Sequence, residues 1–349
     1  MTAPILRPLL GIREADLRDS AEVARLDAFV RAQPDATPFH LTGWSRAVEA
    51  GCRQRARTLV AERGNGSIVG VLPLTEMRSR LFGRALVSTG FGVGGGVLGE
   101  GEEELASGAW VLAQRLGCAS VELRGGAGPG GWACDDSSYL GFARPLAADD
   151  EAELLAIPRK QRAEVRRALG NDLEVVTGRS LAHLAEHYSV YAESVRNLGT
   201  PVFPAALFRR VVELLDVDIL TVRHRGRAVA SVLSLYMGGT VYPYWGGGTA
   251  AARGLRANDA MYFALMRHAR ARGCTRFDFG RSKAGTGAAA FKKNWGFAPV
   301  PLTYWSRSDG PARKVNPLNP RYALMVRTWR RLPLPLANLL GPPIARGLG

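Results

Sequence analysis

Cysteine, histidine and long apolar runs are all scarce in this 349-residue chain, and each scarcity removes a class of protein. Cys52, Cys118, Cys134 and Cys274 are scattered, with no C-x-x-C pair. That spacing argues against both a disulfide scaffold and a zinc site. His183 and His187 stand four apart on a helical stretch, but no third ligand accompanies them, so no metal centre is expected. No segment approaches the ~20 apolar residues that a membrane-spanning helix requires. The short apolar run at residues 1–10 lacks the length and cleavage pattern of a signal peptide, and Glu14 and Asp16 follow it closely. These features lead us to expect a reduced, cytoplasmic setting. Catalytic motifs are sparse too: there is no G-x-S-x-G elbow, no P-loop lysine and no H-E-x-x-H pair. With no activated nucleophile, a covalent enzyme intermediate is not expected.

Acidic residues are also in deficit. Against 46 Lys and Arg stand 31 Asp and Glu, giving a net charge of +15. Such an excess points to a polyanionic partner: tRNA, a CoA-type or nucleotide-linked donor, or an acidic membrane face. The charge is clustered. Residues 311–349 hold seven basic residues (Arg313, Lys314, Arg321, Arg327, Arg330, Arg331, Arg346) and no acidic one. Arg159, Lys160, Arg162, Arg166 and Arg167 face only Glu164 in a second cluster, and Arg281, Lys283, Lys292 and Lys293 form a third among aromatic residues and glycines.

The length and an apolar content of 46% favour two cores. A repeat supports this reading. Strand-like runs at residues 57–61 and 68–74 recur at 219–222 and 228–236. Gly94-Gly95-Gly96 recurs as Gly246-Gly247-Gly248, read as a turn between strand and helix. The helical periods of residues 105–116 and 259–272 both close on Gly-Cys, at Gly117-Cys118 and Gly273-Cys274, and a strand follows each. The expected fold is therefore α/β (α+β) with two tandem units over residues 1–158 and 159–310, each a mixed, mainly antiparallel sheet flanked by helices. A basic, proline-rich tail spans 311–349. Residues 151–170 read as a charged helical connector, and 181–198 and 204–215 as helices opening the second unit. In the tail, Tyr322, Leu324, Met325, Val326, Trp329 and Leu332 with Arg327, Arg330 and Arg331 have the pattern of a basic amphipathic helix.

Gly94, Gly96 and Gly99 match G-x-G-x-x-G, but Glu100, Glu102, Glu103 and Glu104 follow and would repel a phosphate. The equivalent segment of the second unit runs Arg253-Gly254-Leu255-Arg256-Ala257-Asn258 into a helix. Backbone N–H groups and guanidinium forks there suit donor phosphates, so Arg253, Arg256 and Asn258 are donor-side candidates. The richest stretch is residues 277–297. On a strand, Phe277 and Phe279 share one face and Asp278 takes the other, where it can pair with Arg281 or Lys283 or accept a proton from an amine. Residues 288–294 read as a short helix that stacks Phe291 with Trp295 and projects Lys292 near the strand end, where its ammonium can stabilise an oxyanion. Lys292 and Asp278 are thus the catalytic candidates, with Arg281 and Lys283 fixing donor or acceptor. Trp44, Arg166, Arg196, Thr200, Tyr244 and Trp245 are the acceptor-side candidates.

Four segments carry a family resemblance: Phe39-His40-Leu41 with Trp44; Arg159-Lys160-Gln161-Arg162 with Arg166; Leu198-Gly199-Thr200-Pro201-Val202; and residues 277–297. Over residues 36–308 the chain resembles the FemAB-type members of the GNAT acyltransferase superfamily, in particular the subgroup associated with exosortase and PEP-CTERM systems. The resemblance implies two GNAT-like domains in tandem. It implies transfer of an acyl or aminoacyl group from acyl-CoA or aminoacyl-tRNA to an amino group of a cell-envelope or exopolysaccharide-related acceptor, with no permanently bound cofactor. A Phe-Lys pair supports the transferred carbonyl in the peptidoglycan-bridge members, and Phe291-Lys292 matches it. The long helical arm that some of those members insert for tRNA is missing. The competing reading is a non-catalytic adaptor whose tail meets an anionic polymer or the inner face of the membrane peripherally.

Overall fold

The computed structural model describes residues 10–79, 83–126, 128–310 and 320–348. Arg313 and Lys314, the start of the tail and the run at residues 1–9 lie outside this set, as do the side chains of Arg321 and Tyr322. The first half runs β1 (Gly11–Glu14), α1 (Ser20–Ala32), α2 (Thr42–Cys52), β2 (Arg55–Glu62), β3 (Ile68–Ser79), β4 (Gly83–Ser88), β5 (Leu98–Gly99), α3 (Glu102–Arg115), β6 (Ser120–Arg124) and β7 (Ala133–Pro145). Two connector helices follow, α4 (Asp150–Ala156) and α5 (Arg159–Leu169). The second half runs β8 (Glu174–Gly178), α6 (Leu181–Leu198), α7 (Ala205–Leu214), β9 (Val217–His224), β10 (Arg227–Met237), β11 (Thr240–Gly248), α8 (Ala252–Leu255), α9 (Ala257–Ala271), β12 (Arg276–Lys283), α10 (Gly287–Asn294) and β13 (Pro299–Ser308). The tail holds α11 (Pro320–Arg331) and α12 (Leu334–Ala345).

All strands belong to one mixed, mainly antiparallel sheet, ordered β1-β2-β3-β4-β6-β13-β7-β12-β11-β10-β9-β8 with β5 beside β3. The halves exchange their last strands. Strand β13 pairs with β6 of the first half, β7 pairs with β12 of the second, and β7 and β13 pair antiparallel with each other. The sheet is therefore continuous across the two halves, and neither sheet half is complete from its own stretch of sequence.

Helices cover both faces. Helices α1, α2, α6 and α7 share one core that spans the halves, built on Trp44, Phe208 and Trp245, whereas α3 and α9 each close a separate core on the opposite side. The equivalent helices α2 and α7 approach closely because a Cβ at Gly51 would stand 2.4 Å from Leu207 Cα. Any side chain there would force the helices apart.

Two sequence expectations change. The connector is not one helix: Ile157 is extended, as the residue before a proline tends to be, and Pro158 opens a new helix. Gly246, Gly247 and Gly248 are not a turn but the end of β11, where glycine admits neighbours. A Cβ on them would meet Tyr262 Oη at 2.9 Å, Ser194 Oγ at 2.3 Å and Ala252 Cβ at 2.6 Å respectively.

Candidate active site

Strands β11 and β12 are parallel neighbours only at Thr240–Arg276 and Val241–Phe277, after which they part. A cavity of about 430 Å³ is lined by residues of both strands beyond this point, by α9 and α10, and by Thr37, Phe39, Phe91 and Val93 of the first half. The first half has the equivalent pairing of β4 with β6, from Leu86–Val121 to Ser88–Leu123. Beyond it the buried Arg124 guanidinium donates to the carbonyls of Thr89 and Gly92, both at 3.1 Å, and fastens the strand ends together. The glycines Gly94 and Gly96 belong to this closure, since Gly96 N–H donates to Arg124 O at 2.9 Å.

A bulge shapes the floor of the cavity. The β12–β7 register slips between Asp278 and Arg281, with Gly280 at φ 66°. Bulges re-aim side chains and release backbone groups from the ladder. Lys292, on α10, reaches the released carbonyls: its Nζ donates to Gly280 O at 3.2 Å and to Arg281 O at 2.9 Å. Two of its three N–H bonds are thereby committed, leaving one for the cavity. Burial pulls the ammonium down from its usual 10.5 to about 8, although the charge of Asp278 opposes that shift. Helix α10 exists to deliver this group: Thr286 caps it by accepting from Ala289 N–H, and Trp295, fully buried, anchors its end.

Asp278 lines the same cavity. Its Oδ1 accepts from Gly280 N–H at 2.8 Å. Burial raises its carboxyl above the ordinary value, with Gly280 N–H, Arg276 and Lys292 pulling the other way. Among the described residues Asp278 forms no ion pair with Arg281; its carboxylate accepts from Gly280 N–H, and the charge of Lys292 favours its ionised form. Arg281 donates to Tyr304 Oη and lies 4.9 Å from the Tyr139 ring centroid. Burial opposes its charge, yet the surrounding Tyr304, Tyr244 and Tyr139 outweigh it and the guanidinium pKa stands above its ordinary value. A weakly basic lysine, a carboxylate made more basic and a fixed cation thus converge on one cavity.

Aromatic rings form the walls. A second bulge, between Leu233 and Ser234, leaves Tyr244 unpaired between Pro243 and Trp245 on β11, and both Tyr244 and Trp245 line the cavity. Tyr244 Oη donates to Phe91 O in the first half. Phe291 leans on Tyr262, with ring centroids 5.7 Å apart. Trp44 stands behind this wall: it is fully buried, its Nε1 donates to Gly90 O at 3.1 Å, and its ring meets that of Tyr244 edge-on. It supports the cavity without lining it.

Other expected residues lie elsewhere. Arg166 is exposed on α5, Thr200 is exposed after α6, and Arg196 Nη1 donates to Arg330 O of the tail; none of the three lines the cavity. On the donor side, Arg253 is exposed on α8, whereas Arg256 forms an ion pair with Glu164 of α5. Asn258 does not cap α9; it lies in the first turn, and its side chain packs against Gly248. Lys283 accepts from Thr286 Oγ1 through its carbonyl at 2.7 Å. His183 joins Ser180 at the start of α6, and His187 is buried against Ser231. Sequence reasoning missed Phe91, Phe203, Tyr242 and Tyr262 as lining residues. Only Tyr242 had a local signal, its alternation with Tyr244 and Gly246 along a strand.

Residues 158–293 match the acetyltransferase (GNAT) domain family. No curated protein matches the chain significantly. Among solved structures, FemX is similar with a TM-score of 0.65 and 16% identity, over 81% of this chain and 95% of FemX. A tandem GNAT protein from the clavulanic acid biosynthesis pathway, solved without acetyl-CoA, gives 0.56 and 14%, over 87% of this chain and 100% of that one. L-PGS from Bacillus licheniformis gives 0.53 and 14%, over 91% and 98%. At such identities the likeness is one of fold, and that fold extends over most of the chain. Residues 158–293 are thus similar to an acetyltransferase (GNAT) domain, and the fold of most of the chain is similar to that of FemX and of the tandem GNAT protein.

Proposed function

We propose that the protein is a FemAB-like N-acyltransferase that moves an acyl or aminoacyl group from an anionic activated donor, acyl-CoA or aminoacyl-tRNA, to an amino group. The observation that carries this reading is the convergence of Lys292 and Asp278 on the cavity where β11 and β12 part. The donor carbonyl sits against Lys292, whose remaining N–H faces the oxyanion as the amine nitrogen attacks. A C–N bond forms, the C–S or C–O bond to the carrier breaks, and Asp278 or a water it orients takes the amine proton while the leaving sulfur or oxygen is protonated. Both substrates are held together, with no acyl-enzyme.

Arg253 and the start of α9 would face the donor phosphates, and Arg256, now held by Glu164, would exchange that partner for phosphate. Arg281, Tyr244 and Trp245 shape the acceptor side. The two stretches of sequence, 1–158 and 159–310, both contribute residues to this site. We take an envelope or exopolysaccharide-precursor amine as the acceptor class, a choice that rests on the resemblance of the sequence motifs to exosortase and PEP-CTERM-associated proteins.

Mass spectrometry of small molecules and RNA released from the purified native protein tests the reading. A bound CoA ester or a charged tRNA supports it and fixes the donor, and a tRNA complex must weaken steeply with salt. Failure of a panel of acyl-CoA thioesters and aminoacyl-tRNAs to acylate any amine would remove it.

A further inference from the structure

Helix α12 is inside out for a surface helix. Its inward positions are the small residues Ala337, Gly341 and Ala345, all buried, while Leu336, Leu339, Leu340, Pro343 and Ile344 face solvent. These outward positions follow the helical period and form one continuous apolar stripe. Leu339 is 71% exposed. No charged residue interrupts residues 332–345. Helix α11, packed on α6 through Val326 and the Arg196–Arg330 bond, adds outward Leu324 and Met325 beside exposed Arg327 and Arg331.

We propose that this helix pair is an interfacial docking surface for an anionic lipid bilayer. Charge complementarity selects that occupant: residues 310–349 carry arginines and a lysine but no carboxylate, so a second copy of the same surface would bring like charges together. The geometry fits lying on a membrane and not crossing it. Helix α12 has 12 residues, and no helix among the described residues is long and apolar enough to span. Small inward residues let the helix lie close to the body while the large side chains remain free to enter the headgroup boundary. The surface also adjoins the cavity. Leu348, just past α12, is exposed and lines it, and Gly341 packs on Val202, next to the lining residue Phe203. A docked tail therefore holds the cavity near a membrane-borne substrate.

Co-sedimentation of the full chain with vesicles tests this, comparing phosphatidylcholine alone with phosphatidylcholine containing about one-third phosphatidylglycerol. Binding is expected only to the anionic vesicles, falling with salt. Leu339→Asp combined with Leu340→Asp should lower it about tenfold or more. Val111→Asp, a comparably exposed apolar position on α3, should leave it unchanged. Leu339→Trp should blue-shift its emission on adding anionic vesicles, which reports insertion without depending on a loss. The proposal is overturned if the native chain stays in the supernatant, or if the aspartate pair binds as well as the native chain. It is equally overturned if that pair instead dissociates a lipid-free dimer.

Discussion

Replacing Lys292 by Met keeps a long apolar stem and removes the ammonium from the cavity. If that ammonium is the donor to the oxyanion, the loss in kcat should be about 10²- to 10³-fold, the usual cost of one such donor. Stability should not fall in proportion. Holding the charged lysine where its pKa drops from 10.5 to about 8 costs about 3 kcal/mol, whereas the two bonds to Gly280 O and Arg281 O return about 1 kcal/mol each. The sign with pH follows from the direction of the shift. The folded pKa lies below the unfolded one, so between about pH 8 and 10.5 the unfolded chain binds the extra proton and this penalty fades as pH rises. Denaturant unfolding at pH 7 and pH 10 should therefore show the variant gaining on the native protein at pH 7 and losing that advantage at pH 10. Single-turnover transfer should show a native rate that declines above about pH 8, with that limb absent in Lys292→Met. A variant that folds and transfers within a few-fold of the native rate would refute the oxyanion role and leave Lys292 as a pin for the bulge.

Three further outcomes are expected. Asp278→Asn should lower kcat about 10²-fold and remove an acidic limb that lies above the ordinary carboxylate range, as read from the pH dependence of kcat. Gly246→Ala places a Cβ 2.9 Å from Tyr262 Oη; it should cost about 1–2 kcal/mol in unfolding free energy and lower turnover by pushing Tyr262 into the cavity. His187 is buried neutral, its pKa lowered by desolvation to about 3. Its folded pKa lies below the unfolded one, so stability is intact above about pH 6.5 and declines as pH falls toward 3. His187→Gln should flatten that slope in acid-unfolding curves.

Much of the fold could be read locally. The two hairpin, helix and strand units are written in short-range periodicity, and the Gly-Cys pairs after α3 and α9 end their helices as expected, with Gly117 at φ 66° and Gly273 at φ 79°. The exchange of β7 and β13 had no local signature. Each strand is compatible with either sheet half, and only long-range pairing decides between them. The site divides in the same way. Lys292 and Asp278 stood out because one segment carries a strand, a capped helix and a cation together. Phe91 and Phe203 reach the cavity from distant elements, and their apolar side chains look like any core residue until the packing is known. Arg196, read as a ligand because a cation stands near a helix end, lies away from the cavity and donates to Arg330 O of the tail. Arg256 reads as a donor-phosphate candidate from its place before a helix, but its pairing with Glu164 of the connector had no local signal.

The central claim, that the donor carbonyl sits at Lys292, can be read directly by competitive acylation of lysines followed by peptide mass spectrometry. A pKa of about 8 makes Lys292 more reactive than an ordinary lysine once the reagent enters the cavity. The account predicts that acyl-CoA or aminoacyl-tRNA protects Lys292 while Lys293, exposed on the same helix, labels as before. Equal labelling of Lys292 with and without a donor that the protein uses for transfer would contradict it.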